Sequence, residues 1–266
     1  MIDLHSHILP GLDDGAVDLE MSLALARRYI QTGFHCVVAT PHAVAGEAPA
    51  GFAQTVHQAT EKLNDALQHR AAALEVLSGM EVTLDPRLPE LLAEGAVLTL
   101  AAKNHLLVET PFGRLPLGWP KLVFELGSRG VTVLFAHPER CAQIIANPDI
   151  LQAMVKAGAR LQVNWESFKG VYGTKCRRLA RHMAAQGLIH CLATDSHDPQ
   201  WRHPGCVEEM FAELTARVGE ANLHRIVVEN PARALRGLPM LDMKQKTPPA
   251  GSSQRKRWLP WFRDKT

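Results

Sequence analysis

The 266-residue sequence predicts an α/β fold, specifically an irregular, seven-stranded parallel β/α barrel. Three observations support this prediction: short apolar runs typical of buried strands, helical segments between them, and polar residues directly after most of the runs. Parallel strands covered on both faces are expected to be continuously apolar. The seven strand-like runs occupy residues 2–5, 36–40, 74–78, 105–109, 131–136, 160–164 and 189–194.

Helical periodicity fills most of the intervals between these runs. Alternating strands and helices predict βαβ units with parallel strands. Seven strands are one fewer than the usual barrel has, and a doubly wound open sheet is the alternative, because strand counting does not separate the two folds. Residues 82–102 lack the alternation, and we expect an elaborated loop there. The predicted helices cover residues 19–31, 53–69, 120–129, 148–157, 174–186 and 206–218.

The composition indicates a cytoplasmic protein with an ordinary core, since 46% of the residues are hydrophobic and 21% are charged. No apolar run approaches the roughly 18 residues of a membrane span, and the N-terminus lacks the pattern of a signal peptide. The five cysteines are odd in number and include no Cys-x-x-Cys pair. This usage suits a reducing compartment rather than a disulfide framework.

The positive charge is concentrated at the C-terminal end. Residues 244–266 contain seven Lys or Arg and one Asp, so the overall charge of +2 leaves about −4 for residues 1–243. We therefore expect one domain over residues 1–243, followed by a flexible basic and aromatic tail over 244–266. The tail predicts contact with an anionic membrane surface or a partner protein, and a disordered tail without a partner is the alternative. No nucleic-acid partner is predicted, because the basic charge lies outside the domain.

Metal-ligand residue types cluster after the strand-like runs. His5 and His7 are two residues apart, as are Asp195 and His197, and residues i and i+2 of a strand point to the same face. In a parallel barrel the carboxyl ends of all strands meet at one mouth, so these side chains would converge. Nine candidates exceed what one ion can use, which implies two or three. They are His5, His7, Asp14, His42, Glu81, Glu109, His137, Asp195 and His197. By contrast, His105 and His190 begin or enter strands, and we expect structural roles for them.

The segments HSHILPGLDDG, TPH, GMEV, LVET, AHPER and TDSH, in this order, resemble the PHP (polymerase and histidinol phosphatase) superfamily. More closely, they resemble the bacterial manganese-dependent tyrosine phosphatases of capsule and exopolysaccharide operons, the CpsB/CapC-like group. The resemblance covers roughly residues 1–240.

The resemblance implies a trinuclear site holding Mn²⁺, and Zn, Fe or Co would also suit histidine and carboxylate ligands. It implies one ion held by His5, His7, Glu81 and Asp195, a second held by Glu81, Glu109 and His137, and a third held by Asp14, His42 and His197.

Asp13 is expected either to orient a ligand histidine or to accept hydrogen bonds within its turn. Arg140 and Arg202 are the candidate catalytic residues, because a phosphoryl group needs fixed positive charge. The alternative for each is a solvated surface arginine. The sequence does not identify a general acid.

The function implied is hydrolysis of phosphotyrosine by a metal-activated hydroxide. The expected partner is a membrane-associated bacterial tyrosine kinase that regulates capsule or exopolysaccharide synthesis, and the location would then be cytoplasmic and membrane-proximal. Two alternatives are a small-molecule phosphatase, for instance on histidinol phosphate, and a non-catalytic binding module. No Cys-x5-Arg segment is present, so a cysteine-based tyrosine phosphatase is excluded.

Overall fold

The computed structural model describes residues 1–44 and 48–244. Within these ranges the chain alternates between short strands and helices, as the sequence predicts. The strands are β1 (Ile2–Ser6), β2 (Cys36–Ala39), β3 (His42–Ala43), β4 (Glu75–Ser78), β5 (Glu81–Thr83), β6 (His105–Glu109), β7 (Thr132–Ala136), β8 (Arg160–Asn164) and β9 (Cys191–Ala193).

The helices include all six that the sequence predicts, with ends shifted by at most one residue. They are α1 (Leu19–Gln31), α2 (Phe52–Gln68), α3 (Leu88–Ala93), α4 (Trp119–Ser128), α5 (Ala142–Ala146), α6 (Asp149–Lys156), α7 (Trp165–Lys169), α8 (Thr174–Gln186), α9 (Cys206–Val218), α10 (Glu220–His224) and α11 (Asn230–Ala234).

Helix α1 shows why these segments fold as they do. The Asp18 side chain accepts a hydrogen bond from the backbone N–H of Met21 and so caps the first turn. The buried residues of the helix follow at helical spacing, which directs one face onto the sheet.

Residues 82–102 are not simply a loop. They contain α3 and a 3₁₀ turn at Leu100–Ala102. Helix α3 has six residues and a proline in its first turn, and so short a helix leaves little periodic signal in the sequence.

All strand pairs are parallel, and the strands form two sheets with the orders β1-β2-β4 and β3-β5-β6-β7-β8-β9. The parallel α/β class is therefore confirmed. A closed seven-stranded barrel is not confirmed, because two of the predicted strands are each divided. The second run continues as β3 after Pro41, which lacks a backbone N–H. The third continues as β5 after Gly79, where a Cβ would lie 2.9 Å from the Val38 side chain.

Backbone hydrogen bonds also link β1 to the chain that follows β9. The Asp195 N–H donates to the His5 carbonyl at 3.0 Å, and the His7 N–H donates to the Ser196 carbonyl at 2.8 Å. Ser6 and Ser196 form a single parallel bridge. These contacts place residues 195–197 beside the end of β1.

The core has two parts. The larger lies mainly between the strands and the surrounding helices. The smaller is formed mostly by strand residues, including Leu4, Val38, Leu107 and Leu134, and Met240 packs into it from the C-terminal segment. All five cysteines are free and buried, in agreement with the expectation from their spacing. Among the described residues, no helix combines the length and the apolar character needed to cross a bilayer.

Candidate metal centre

The structure brings all nine candidate ligands together at the carboxyl ends of the strands. Neighbouring strands supply residues at the same level; for example, His42 on β3 is in register with Glu81 on β5. The ligand-type atoms fall into four groups, and within each group they lie within 4.8 Å of one another. The groups are His7-Asp14-His42-His197, His5-His7-Glu81, His5-His137-Asp195 and Glu81-Glu109-His137.

Two of these groups resemble the ligand sets that the family resemblance implies. The group of Glu81, Glu109 and His137 is the same, while the group around Asp14 also includes His7. Asp195 is grouped with His5 and His137, although its Oδ1 atom also lies 3.4 Å from the Nε2 atom of His7.

Glu81 lies at the centre of the cluster. Its Oε2 atom is 3.2 Å from His5 Nε2 and 3.1 Å from His42 Nδ1, and its Oε1 atom is 2.9 Å from His137 Nε2. Burial raises the pKa of Glu81, but the surrounding imidazoles outweigh burial and hold the pKa well below its usual value. The surrounding imidazoles therefore favour the ionised form of Glu81.

Asp195 faces two different environments. Its Oδ1 atom points to the histidines, 3.4 Å from His5 Nε2. Its Oδ2 atom accepts hydrogen bonds from Arg202 Nη2 at 2.8 Å, Arg140 Nη1 at 3.2 Å and Asn164 Nδ2 at 2.8 Å. One buried carboxylate thus connects the ligand cluster to both candidate catalytic arginines.

The ring nitrogens of the cluster's histidines are crowded together. The Nε2 atoms of His5 and His7 lie 3.2 Å apart. Burial lowers the pKa of both residues, yet the neighbouring carboxylates outweigh burial, so the pKa of His5 is raised and that of His7 is raised well above its usual value. The pKa of His197 is instead lowered to about 4 by burial and by the charge of His7.

These features fit a group of divalent cations. Glu81 Oε2 is completely buried and has no hydrogen-bond partner within the described part of the chain, although three imidazole nitrogens surround it. Ligand atoms that share one ion lie at separations of this size, since each bond is about 2 Å long. Imidazole and carboxylate are the usual ligands of Mn, Zn and Fe. The residues present therefore suit bound metal better than an ion-free network of hydrogen bonds.

Asp13 performs both of the tasks considered for it. Its Oδ2 atom lies 2.6 Å from His7 Nδ1, while the backbone N–H groups of Gly15 and His42 also donate to its carboxylate. Burial raises the pKa of Asp13, but these contacts outweigh it and lower the pKa to about 2. A hydrogen bond to the outer nitrogen of a ligand histidine fixes its tautomer and orientation.

The backbone is unusual at two candidate ligands. His137 and Asp195 have φ values of 35° and 51°, in the left-handed region. Such conformations cost about 1–3 kcal/mol and are concentrated at functional sites. Gly15 is required for a related reason, because a Cβ at this position would collide with the carbonyl oxygen of His7.

Three polar residues of the site were not predicted from the sequence. His5 Nδ1 lies 3.0 Å from the Gln162 side-chain oxygen, and Gln162 donates to Asn164 at 2.6 Å. Gln162 and Asn164 both belong to β8. Polar residues at alternate positions of a buried strand point to the same face, and this pattern could have identified the two residues from the sequence. Asp3 is fully buried behind the site, where it accepts hydrogen bonds from Tyr29 and Thr194.

Comparisons with known proteins show the family of this chain. Residues 1–236 match the model of the family described as capsular polysaccharide synthesis, CpsB/CapC. The chain is 32% identical over 239 residues to tyrosine-protein phosphatase YwqE of Bacillus subtilis, covering 89% of this chain and 92% of the relative. It is 26% identical to the putative tyrosine-protein phosphatase CapC of Staphylococcus aureus, covering 92% of this chain and 98% of the relative.

A solved structure supports the same relationship. It comes from work on YwqE of Bacillus subtilis and CpsB of Streptococcus pneumoniae, described there as metal-dependent tyrosine phosphatases. Its TM-score is 0.85 at 30% identity, and the match covers 93% of this chain and 99% of the other. The chain therefore belongs to the CpsB/CapC family of capsular polysaccharide synthesis proteins.

Proposed function

We propose that this chain is a metal-dependent tyrosine-protein phosphatase that hydrolyses phosphotyrosine. The position of Asp195 is the main support. Because this carboxylate faces the ligand cluster with one oxygen and two arginines with the other, a phosphoryl group beside it would reach both. Phosphoryl transfer depends mainly on such positioning and on charge stabilisation.

All nine residues of the cluster would serve as metal ligands. When bound, divalent ions supply Lewis acidity that activates water and neutralises phosphoryl charge. Glu81 would contribute to holding the ions with two oxygens that face different histidines. Asp13 would hold His7 in one orientation. We propose Mn²⁺ as the native metal, in two or three copies, although the donor set also accepts Zn, Fe and Co.

Arg140 and Arg202 would bind the non-bridging phosphoryl oxygens. Their side chains are 19% and 28% exposed, so they are accessible from the mouth while held by Asp195. A guanidinium group presents paired donors that match phosphoryl geometry.

A test of the function is phosphate release from a phosphotyrosine peptide and from histidinol phosphate. The protein is reconstituted with Mn²⁺ and compared with His7→Ala, with a chelator control and with His69→Ala, which alters an exposed histidine. Release from the peptide that is lost in His7→Ala and kept in His69→Ala supports the proposal. Preference for histidinol phosphate would instead identify a small-molecule phosphatase. Inactivity on both substrates would refute the proposed function.

We further propose that the substrate is a membrane-associated tyrosine kinase of capsule or exopolysaccharide synthesis, which would make the location cytoplasmic and membrane-proximal. The basic and aromatic segment 255–263 lies outside the described residues, and its sequence suits an anionic membrane surface. The catalytic domain would occupy residues 1–243 and the tail 244–266. The backbone of Lys244 still exchanges two hydrogen bonds with Asn222, so a truncation should retain this residue.

Co-sedimentation with anionic liposomes tests the membrane contact. We expect the full-length protein to sediment at low salt and the 1–244 truncation to remain in solution. Equal binding of the two proteins would contradict a role for the tail.

A further inference from the structure

The guanidinium group of Arg140 is flanked by two aromatic rings. Its Cζ atom lies 4.5 Å from the ring centroid of Phe112 and 4.2 Å from that of Tyr172. Both distances are well within the range of a cation–π interaction. Two rings in contact with a guanidinium group restrict its rotation.

Tyr172 is held in place by a buried carboxylate. Its hydroxyl donates to Glu166 Oε2 at 2.6 Å, and Glu166 is buried. Glu166 belongs to α7, which directly follows β8. The ring is therefore fixed to the same part of the fold that supplies Asn164 to Asp195.

Phe112 is held through its backbone. Its carbonyl accepts a hydrogen bond from the Ala142 N–H at 2.7 Å, and the Gly113 carbonyl accepts one from the Gln143 N–H at 3.1 Å. The ring also stacks on His137, with centroids 5.9 Å apart and an angle of 27° between the planes. Although 51% of Phe112 is exposed, the residue is thus attached to α5 and to a candidate ligand.

We infer that Phe112 and Tyr172 are positioning residues that hold the Arg140 guanidinium beside Asp195, where it would meet the phosphoryl group of the substrate. This inference rests on the proposed phosphatase function. An unrestrained arginine side chain loses conformational entropy when it is fixed. The two rings restrict the side chain before substrate arrives, so less of this loss accompanies phosphate binding.

A double-mutant cycle separates positioning from general support of the fold. We expect Tyr172→Leu to lower kcat/KM for a phosphotyrosine peptide roughly 10-fold, as the loss of a cation–π contact in a partly buried site predicts. Tyr172→Phe retains the ring but removes its hydrogen bond to Glu166, so it should lose less activity than Tyr172→Leu. In an Arg140→Ala background, Tyr172→Leu should have no further effect, because the ring then has no guanidinium to hold.

Phe112→Leu should behave like Tyr172→Leu, and Phe124→Leu is its matched control. Phe124 lies on α4 and is 74% exposed, outside the site. An equal loss from Tyr172→Leu with and without Arg140 would overturn the inference, because the ring would then act independently of the arginine.

A second measurement does not depend on catalysis. The order parameter of the Arg140 Nε–Hε group, measured by NMR on the metal-free protein, should be high and should fall further in Tyr172→Leu than in Tyr172→Phe. A mobile Arg140 in the wild type would overturn the inference whatever the activity. A rigid Arg140 in a protein that releases no phosphate would instead refute only the proposed function.

Discussion

Two sets of histidines lie at opposite ends of the parallel strands and differ in their electrostatic surroundings. At the mouth, where carboxylates converge, four histidines lie near the end of a strand or after it, and His42 begins the short β3 that continues from β2. At the other end, which we call the floor, His105 begins β6 and His190 immediately precedes β9. Both floor histidines are buried, so burial by itself does not distinguish the two sets.

The charge of the neighbouring side chains accounts for the difference in pKa between these histidines. At the mouth, Glu81 and Asp195 raise the pKa of His5 in spite of its burial. At the floor, burial and the charge of Arg160 lower the pKa of His105 and His190 to about 4. The mouth therefore attracts cations, whereas the floor favours neutral imidazole. This contrast supports the mouth as the place where a metal would bind.

The strongest test of this contrast compares Glu81→Gln at the mouth with His105→Gln at the floor. Mn²⁺ at 100 times its dissociation constant should stabilise the wild type by about 2.7 kcal/mol. For a chain of this size, that corresponds to a rise in Tm of roughly 5–10 °C. Glu81→Gln should lose this rise and at least about 10³-fold of the phosphatase activity, since the central carboxylate is gone. Thermal unfolding with and without Mn²⁺ measures the first effect.

The floor variant should retain the full Mn²⁺-dependent rise in Tm, even if its metal-free Tm is lower. A rise that is lost in both variants would show that the two ends are coupled. A rise that persists in Glu81→Gln would remove Glu81 from the ligand set.

The pH dependence of stability should have opposite signs for the two floor histidines and for His5 and His7 at the mouth. Because the folded-state pKa of His105 and His190 is depressed, their contribution is complete above the unfolded value of about 6.5 and is lost as pH falls toward about 4. Each histidine contributes about 3 kcal/mol to this loss. His5 and His7 have raised pKa values, so in the metal-free protein their contribution is present at low pH and is lost as pH rises.

Urea unfolding in chelator at pH 7 and pH 4.5 checks the floor contribution. His105→Gln should lose less stability between these two pH values than the wild type, and His69→Gln, which alters an exposed histidine, should lose the same amount as the wild type. An unchanged pH dependence in His105→Gln would mean that His105 is protonated at no cost to the fold.

The sequence distinguishes mouth from floor because the position of a residue along a strand determines which end it occupies. His105 precedes an apolar run and His137 follows one, and the structure places them accordingly. The division of two strands was not predictable, since Pro41 marks an interruption without revealing that pairing resumes at His42. The contacts of Phe112 and Tyr172 with Arg140 were also hidden, because both rings lie outside strands, where no periodicity links them.

The smallest expected effect concerns a residue that only supports the mouth. Asp13→Asn keeps the shape of the side chain but removes the charge beside His7 Nδ1, and loss of such a partner lowers metal affinity roughly 10–100-fold. Titration with Mn²⁺ measures the change. Asp18→Asn is the matched control, because Asp18 caps α1 and has no contact with the cluster in the described chain. The control should keep both its stability and its affinity for Mn²⁺, because asparagine caps a helix about as well as aspartate does. A loss of stability in Asp13→Asn with an unchanged affinity for Mn²⁺ is the contrary outcome. That outcome would show that Asp13 only stabilises the turn, and that its hydrogen bond to His7 contributes nothing to metal binding.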